Sequence, residues 1–308
     1  MVVKVLMNVF GCIGRVFTRV AFSSAFGNVE IVSINVSFID LNYMAYILQY
    51  YYTHGIFHSV KTENGQLVIN MNSINIFQEQ DSANIKYVLE PTGIYTTMEN
   101  AGHYLKGTAK WIIIPFPSDD FPVFVMVMNK KYDNLLKIVS NVSCTTDCLA
   151  PLAKIIYEEV GLMTMFTDTQ KTVDGPYAKA AQNIIHASTG AAKVVSKVIP
   201  ELKGKLPGMA FCVVPRIYLT CSLESSAKYE SNRKVVKQAS KGPLKGIMRY
   251  IEYQLITCNL NSISYSSFDA GAGITFNNNF VKLISWYDNE YNFSNRIIDL
   301  KAYMASKE

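Results

Sequence analysis

The segment VVKVLMNVFGCIGRVFTRVAF, which opens the chain after Met1, constrains the fold more than any other stretch. It reads as a short buried strand, a glycine turn, and a helix whose apolar residues recur at helical spacing. EIVSINV, rich in β-branched residues, follows as a second strand. The three together form a βαβ unit of about thirty residues, the building block of a parallel, doubly wound sheet.

Further apolar runs, QLVINM, IKYVLE, KWIIIPF, FVMVMN and LKIVSN, alternate with turn residues and helical stretches such as TTMENAGHYLK. The alternation predicts an α/β first domain over residues 1–143. From Cys144 the rhythm changes. A helix in TTDCLAPLAKII is followed by strand-like GMAFCVVP, IYLTCSLE, AGITFN and VKLISWYD, with a helix expected over PLKGIMRYI. Residues 144–308 therefore predict an α+β domain with a mostly antiparallel sheet. A closing helix from about residue 291 is expected to pack back on the first domain. A chain of 308 residues is long enough for two cores.

Composition narrows the class. Hydrophobic residues are 49% and charged residues 17%, but no apolar run approaches the roughly 18 residues of a membrane span. Lys4, Asn8 and Arg15 interrupt the apolar N-terminus, and no small-residue cleavage site follows, so a signal peptide is not expected. Six scattered cysteines in so long a chain fit a reducing cytosol rather than a disulfide framework. The net charge of +5 is spread without a basic block. That pattern admits small phosphorylated partners and gives no sign of a dedicated nucleic-acid or membrane surface.

A dinucleotide turn needs glycines, because backbone must approach a pyrophosphate seated on a helix N-terminus, and an acid after the second strand for the ribose. The turn Gly11, Cys12, Ile13, Gly14 keeps the later two glycines; Val9 stands where the first would fall, and Val36 where the acid would. Alone, such a turn is more often a packing feature than a cofactor site. In NVSCTTDC, Cys144 falls where a helix should begin, and a thiolate there is stabilised by the helix dipole and free amides. Cys148, one helical turn on, lacks the further ligands of a zinc site, and no metal is expected.

The blocks NVSCTTDCLAPLAKII, TQKTVDGP, ASTGAAK, VIPELKGKLPGMAF and FVKLISWYDNEY resemble glyceraldehyde-3-phosphate dehydrogenase of the mammalian type, over nearly the whole chain. The resemblance implies a Rossmann-type NAD domain, a catalytic domain, a cytoplasmic homotetramer with a possible nuclear pool, and glyceraldehyde 3-phosphate and inorganic phosphate as substrates. It implies oxidation through a cysteine thioester that phosphate cleaves. Carried over by position, Cys144 resembles the nucleophile and Ser143 and Thr145 its substrate-contacting neighbours. Thr167, Thr189 and Gly190 resemble phosphate-binding positions, Gly11 to Gly14 the NAD turn, and Asn289 the residue that orients the nicotinamide amide.

The chain also departs from that pattern. The interval GLMTMFTDTQKT is shorter than the family's and carries no histidine, where the family has its general base. Of the four histidines, only His186 lies near an expected active-site segment. Cys212 stands for a phosphate-binding arginine, with Arg216 nearby; Cys12 for a basic residue; Val36 for the ribose aspartate; Gln80 for an arginine; Pro115 for a serine; and Asp147 for an asparagine. Segments before YVLEPTG and between DGPYAK and AAQNII are shortened. Weakened NAD binding and impaired turnover are expected, the alternative being a paralogue that survives as a fold or binding protein.

Overall fold

The computed structural model describes residues 3–8, 10–23, 29–36, 38–51, 53–77, 87–93, 95–106, 109–128, 136–171, 185–187, 189–212, 216–254 and 257–307. Val9, Gln80 and both shortened segments lie outside them, as do the side chains of His186, Cys212 and Arg216. Two units emerge: residues 1–124, 131–142 and 294–308, and residues 125–130 and 143–293.

The first unit begins with β1 (Val3–Asn8), α1 (Cys12–Ser23), β2 (Val29–Asn35) and α2 (Leu41–Gln49). A two-stranded ribbon, β3 (Tyr50–Tyr51) and β4 (Gly55–Ile56), precedes the antiparallel β5 (Val60–Glu63), β6 (Gln66–Ile69) and β7 (Asn72–Phe77). Then come β8 (Tyr87–Leu89), α3 (Met98–Lys106), β9 (Trp111–Ile114), β10 (Val123–Phe124) and β11 (Ile138–Asn141). The sheet order is β10-β11-β9-β8-β1-β2-β7-β6-β5, with parallel pairing from β10 through β7. Strand order reverses between β8 and β1, which brings their carboxyl ends to the edge where ligands bind in such sheets. Leu6, Val88, Ile112, Ile114 and Ile138 are buried in one cluster with Ala101 of α3. Arg19, buried in α1, donates to the carbonyls of Leu48, Gln49, His54 and Gly55 and so ties α1 to the end of α2.

The second unit opens with α4 (Cys144–Val160) and β12 (Leu162–Lys171), then β13 (Ile185–Ala187), α5 (Ala191–Val198), β14 (Gly208–Cys212) and β15 (Arg216–Leu223). α6 (Tyr229–Lys241), β16 (Met248–Ile251), β17 (Ser266–Asp269), β18 (Ile274–Asn277), β19 (Phe280–Trp286) and α7 (Tyr291–Ala305) follow, the last running into the first unit. The sheet order is β13-β14-β12-β15-β19-β17-β16, and β18 pairs with β19. Pairing is antiparallel except for β12 with β14 and β16 with β17. Along β15 and β19, Ile217, Leu219, Cys221, Leu223, Val281 and Leu283 are buried while the alternate residues stay half-exposed, the period of a sheet covered on one face.

Two expectations need correction. PLKGIMRYI is not a helix: Gly246 adopts φ 82°, the chain turns there, and Met248–Ile251 pairs in parallel with β17 as β16. Pro243, that glycine and the alternating MRYI outweigh the apolar spacing. Among the described residues of FVMVMN only Phe124 is strand, since β10 ends there and Met128 N–H turns back to the Val125 carbonyl.

Candidate active site

Ser143 precedes α4 with extended backbone, φ −77° and ψ 157°, and caps it. Its Oγ accepts from the Thr146 amide at 3.4 Å and lies 3.0 Å from the Thr146 hydroxyl, while its carbonyl accepts from the Asp147 amide at 3.0 Å. Thr145 to Asp147 are buried, so Ser143 and Cys144 are the part of this turn that solvent reaches. Cys144 thus sits at N1 of a 17-residue helix, in the positive field of its amide end.

The neighbouring groups divide the roles of the two thiols. Burial pushes Cys148 up to about 11, and the Asp147 charge adds to this against its hydrogen bonds with Ser266 and Ser285. Cys148 Sγ is 3.3 Å from the Ser285 hydroxyl and acts as a core residue. Tyr287, 2% exposed, shares a 3.1 Å hydrogen bond with the Thr145 hydroxyl. Burial raises its phenol well above the usual value, and the nearby Cys144 sulfur raises it further. Tyr287 therefore keeps its proton and cannot serve as a base.

Thr167 and the start of α5 meet around Gly208. β12 and β14 place Thr167 beside Gly208 in parallel register, and a Cβ built on Gly208 would stand 2.9 Å from Thr167 Cγ2 and 3.2 Å from Ala192 Cβ. Gly190 precedes α5, whose first turn holds no acid, and the Thr189 hydroxyl accepts from the Ala191 amide at 3.2 Å. Thr167 is wholly buried and its hydroxyl has no hydrogen-bond partner among the described residues. The amide end of α5, with no acid in its first turn, suits an oxyanion. Asn289 is held by its flanks: Asp288 accepts from the amides of Ser262 at 2.8 Å, Glu290 at 3.0 Å and Tyr291 at 2.7 Å, fixing the turn into α7.

In the first unit, Gly11 is exposed just before α1, Cys12 opens that helix, Ile13 is half-buried and Gly14 is buried. The first turn of α1 carries no acid but does carry Arg15, which donates to the Phe10 carbonyl at 3.2 Å and lies 3.5 Å from Cys12 Sγ. Its Nε is buried without a partner among the described residues. A guanidinium beside the positive end of a helix is unfavourable until an anion arrives, so this turn fits the pyrophosphate of NAD. The ribose end fits less well. Val36 is buried at 5% exposure, and its amide is taken by the Phe77 carbonyl.

Sequence reasoning missed a buried polar network at the carboxyl ends of β1, β2 and β8. Asn35 donates to Asn8 Oδ1 at 2.8 Å, and Asn8 donates to Glu90 and to the Tyr104 hydroxyl, each at 2.6 Å. Thr92 and Tyr104 also donate their hydroxyl protons to Glu90, and the Thr92 amide does so at 3.0 Å. Burial first, and Glu90 second, push the Tyr104 phenol far above its usual value. With its oxygens taken, the wholly buried Glu90 does not stand in for a ribose acid. The polar strand ends in LMN and SIN were the available signal. Tyr287 was also missed, although it stands in the same SWYDNEY block as Asn289.

Comparison with known proteins agrees with this geometry. Residues 3–105 match the family model for the glyceraldehyde 3-phosphate dehydrogenase NAD binding domain, and residues 143–289 that for its C-terminal domain. The muscle glyceraldehyde-3-phosphate dehydrogenase of Jaculus orientalis is 53% identical over 364 aligned residues, covering 99% of this chain and 100% of the relative. The Danio rerio enzyme is 54% identical over 334, with the same coverage, and glyceraldehyde-3-phosphate dehydrogenase 1 of Drosophila melanogaster 49% over 333, covering 99% of each. Matched along almost its full length by both domain models and these relatives, the chain belongs to the glyceraldehyde-3-phosphate dehydrogenase family.

Proposed function

We propose that this chain is an NAD-dependent, phosphorylating glyceraldehyde-3-phosphate dehydrogenase acting through Cys144 in the cytoplasm, with a nuclear pool by analogy with its family. The observation that carries the reading is Cys144 at the capped, solvent-reached first position of α4. Residues 1–143 serve cofactor binding and 144–308 catalysis, with α7 serving the first.

The Cys144 thiolate adds to the aldehyde carbon, and the first-turn amides of α4 face the oxygen that gains charge. Ser143 and Thr145 position the substrate, the latter steadied by Tyr287. Bound NAD, held at Gly11 to Gly14 and Arg15 with its amide oriented by Asn289, supplies the hydride acceptor. Thr167, Thr189 and Gly190 hold phosphate groups. Inorganic phosphate attacks the Cys144 thioester, the carbon–sulfur bond breaks, and the acyl phosphate leaves as the thiolate is regenerated.

One observation favours a slower version of this enzyme. β12 runs unbroken through Leu162–Lys171 without a histidine, and Tyr287 keeps its proton. Loss of a general base costs about 10²- to 10⁴-fold in rate. A homotetramer is supported by the uncovered face of the second sheet, where Tyr218, Thr220, Lys282, Ile284 and Trp286 stay half-exposed. Purified chain should form NADH from glyceraldehyde 3-phosphate and phosphate at a rate reduced in that range. Folded, NAD-binding protein with no turnover would instead establish the binding-protein reading.

A further inference from the structure

We propose that the cofactor site of this chain admits a phosphate on the adenosine ribose, and so takes NADP as readily as NAD, because the end of β2 carries no acid. The proposal rests on the reading that places the dinucleotide at Gly11 to Gly14 and the carboxyl ends of β1 and β2. In a site of this build, an acid after the second strand does two things. Its oxygens accept from the ribose hydroxyls, and its charge repels the 2′-phosphate that distinguishes NADP. Val36 does neither. It is 5% exposed, and its amide is spent on the Phe77 carbonyl at 2.8 Å.

The carboxylates nearest to that position do not take over the discrimination. Glu90, at the end of β8, is wholly buried, with its oxygens taken by Asn8, Thr92 and Tyr104. Asp40 follows Val36 in the chain and caps α2. Its Oδ2 accepts from the amides of Asn42 at 3.0 Å and Tyr43 at 3.1 Å, so its charge is set against the positive end of that helix. At the start of α1, which follows β1, the charge is positive. Its first turn holds no acid, and the buried Nε of Arg15 has no partner among the described residues. Phe38, 98% exposed, leaves the end of β2 open to water, so a phosphate there keeps much of its hydration and needs no cage of donors. The charges around the ribose thus favour an added anion rather than opposing it. The nicotinamide ring is the same in both dinucleotides, so the choice of cofactor widens while the chemistry at Cys144 is untouched.

The test compares NAD with NADP by calorimetry on the parent chain and on Val36→Asp, with the melting transition followed in parallel. Adenosine 5′-monophosphate and adenosine 2′,5′-bisphosphate form a second pair that isolates the ribose from the nicotinamide end. In the parent, the members of each pair should bind within about threefold of one another. Val36→Asp should favour NAD over NADP by about 10²-fold, through the new hydrogen bonds to the ribose and the repulsion of its phosphate together. A parent that binds NAD more tightly than NADP by about tenfold or more overturns the proposal. So does a folded Val36→Asp that keeps the parent's ratio. Should Val36→Asp not fold, the two ratios of the parent decide alone. A parent that binds NAD and not NADP strikes the ribose proposal and leaves the cofactor reading intact, whereas a folded parent that binds neither dinucleotide overturns both.

Discussion

The starts of α1 and α4 use one physical device, the amide end of a helix following a parallel strand, with opposite charges around it. α1 carries Arg15 and no acid in its first turn; α4 carries Asp147 and a serine cap. The first is an incomplete electrostatic arrangement that an incoming anion completes. The second makes its own anion at Cys144 and already holds a carboxylate one turn away, which competes with the thiolate for the same field. A helix start with surplus positive potential is therefore a binding element, and one with an internal acid is a chemical element of reduced strength.

The largest expected effect breaks the comparison at one end only. Cys144→Ala should abolish NADH formation, a loss of at least about 10³-fold, while NAD affinity measured by calorimetry stays at the parent value. Equal loss of binding would mean that the two helix starts do not divide the labour. Next, Val36→Asp supplies the ribose partner that β2 lacks. NAD binding should tighten about tenfold by one charge-assisted hydrogen bond, with a lower melting temperature for the unliganded chain because position 36 is buried. Unchanged affinity would show that NAD does not approach the end of β2.

Asp147→Asn sharpens the comparison by making the α4 start more like that of α1. Alkylation of Cys144 near neutral pH should speed up by about threefold, read by peptide mapping, with Cys148 unlabelled in both proteins. The smallest effect concerns the thiols that do no chemistry. Burial raises Cys148 to about 11 and Cys221 to about 12. In the unfolded chain both ionise near their ordinary value, so above it the unfolded state holds fewer protons and stability falls as pH rises toward the folded values. Denaturant titrations should show the double variant Cys148→Ala/Cys221→Ala losing less stability from about pH 9 to about pH 10, by about 1 kcal/mol per thiol.

The helix starts themselves were legible in the sequence. Strand, glycine turn and helix around Gly11 follow from local periodicity, and Cys144 at a helix start follows from the apolar spacing after it. MRYI was not, because its partner SSFD lies beyond the next turn, and only that pairing decides between helix and strand. Within the site, Ser143 and Thr145 could be named from adjacency, but the meeting of Thr167 with α5 depends on β12 lying beside β14. Asn8, Asn35 and Glu90 look like unremarkable strand ends until the sheet order brings them together. Local pattern carries element type; long-range pairing carries the convergence of donors.

That buried network has a consequence for biosynthesis. Asn8 bonds to partners 27, 82 and 96 residues away along the chain. The carboxyl ends of β1, β2 and β8 therefore cannot be locked together until the segment through Tyr104 has left the ribosome. Before then the glycine turn is free to form locally, yet the asparagine behind it has no fixed orientation. Contacts of such long sequence separation form late and slowly. A nascent chain truncated before α3 should thus be without cofactor affinity even though it already contains every residue of the Gly11 to Gly14 turn.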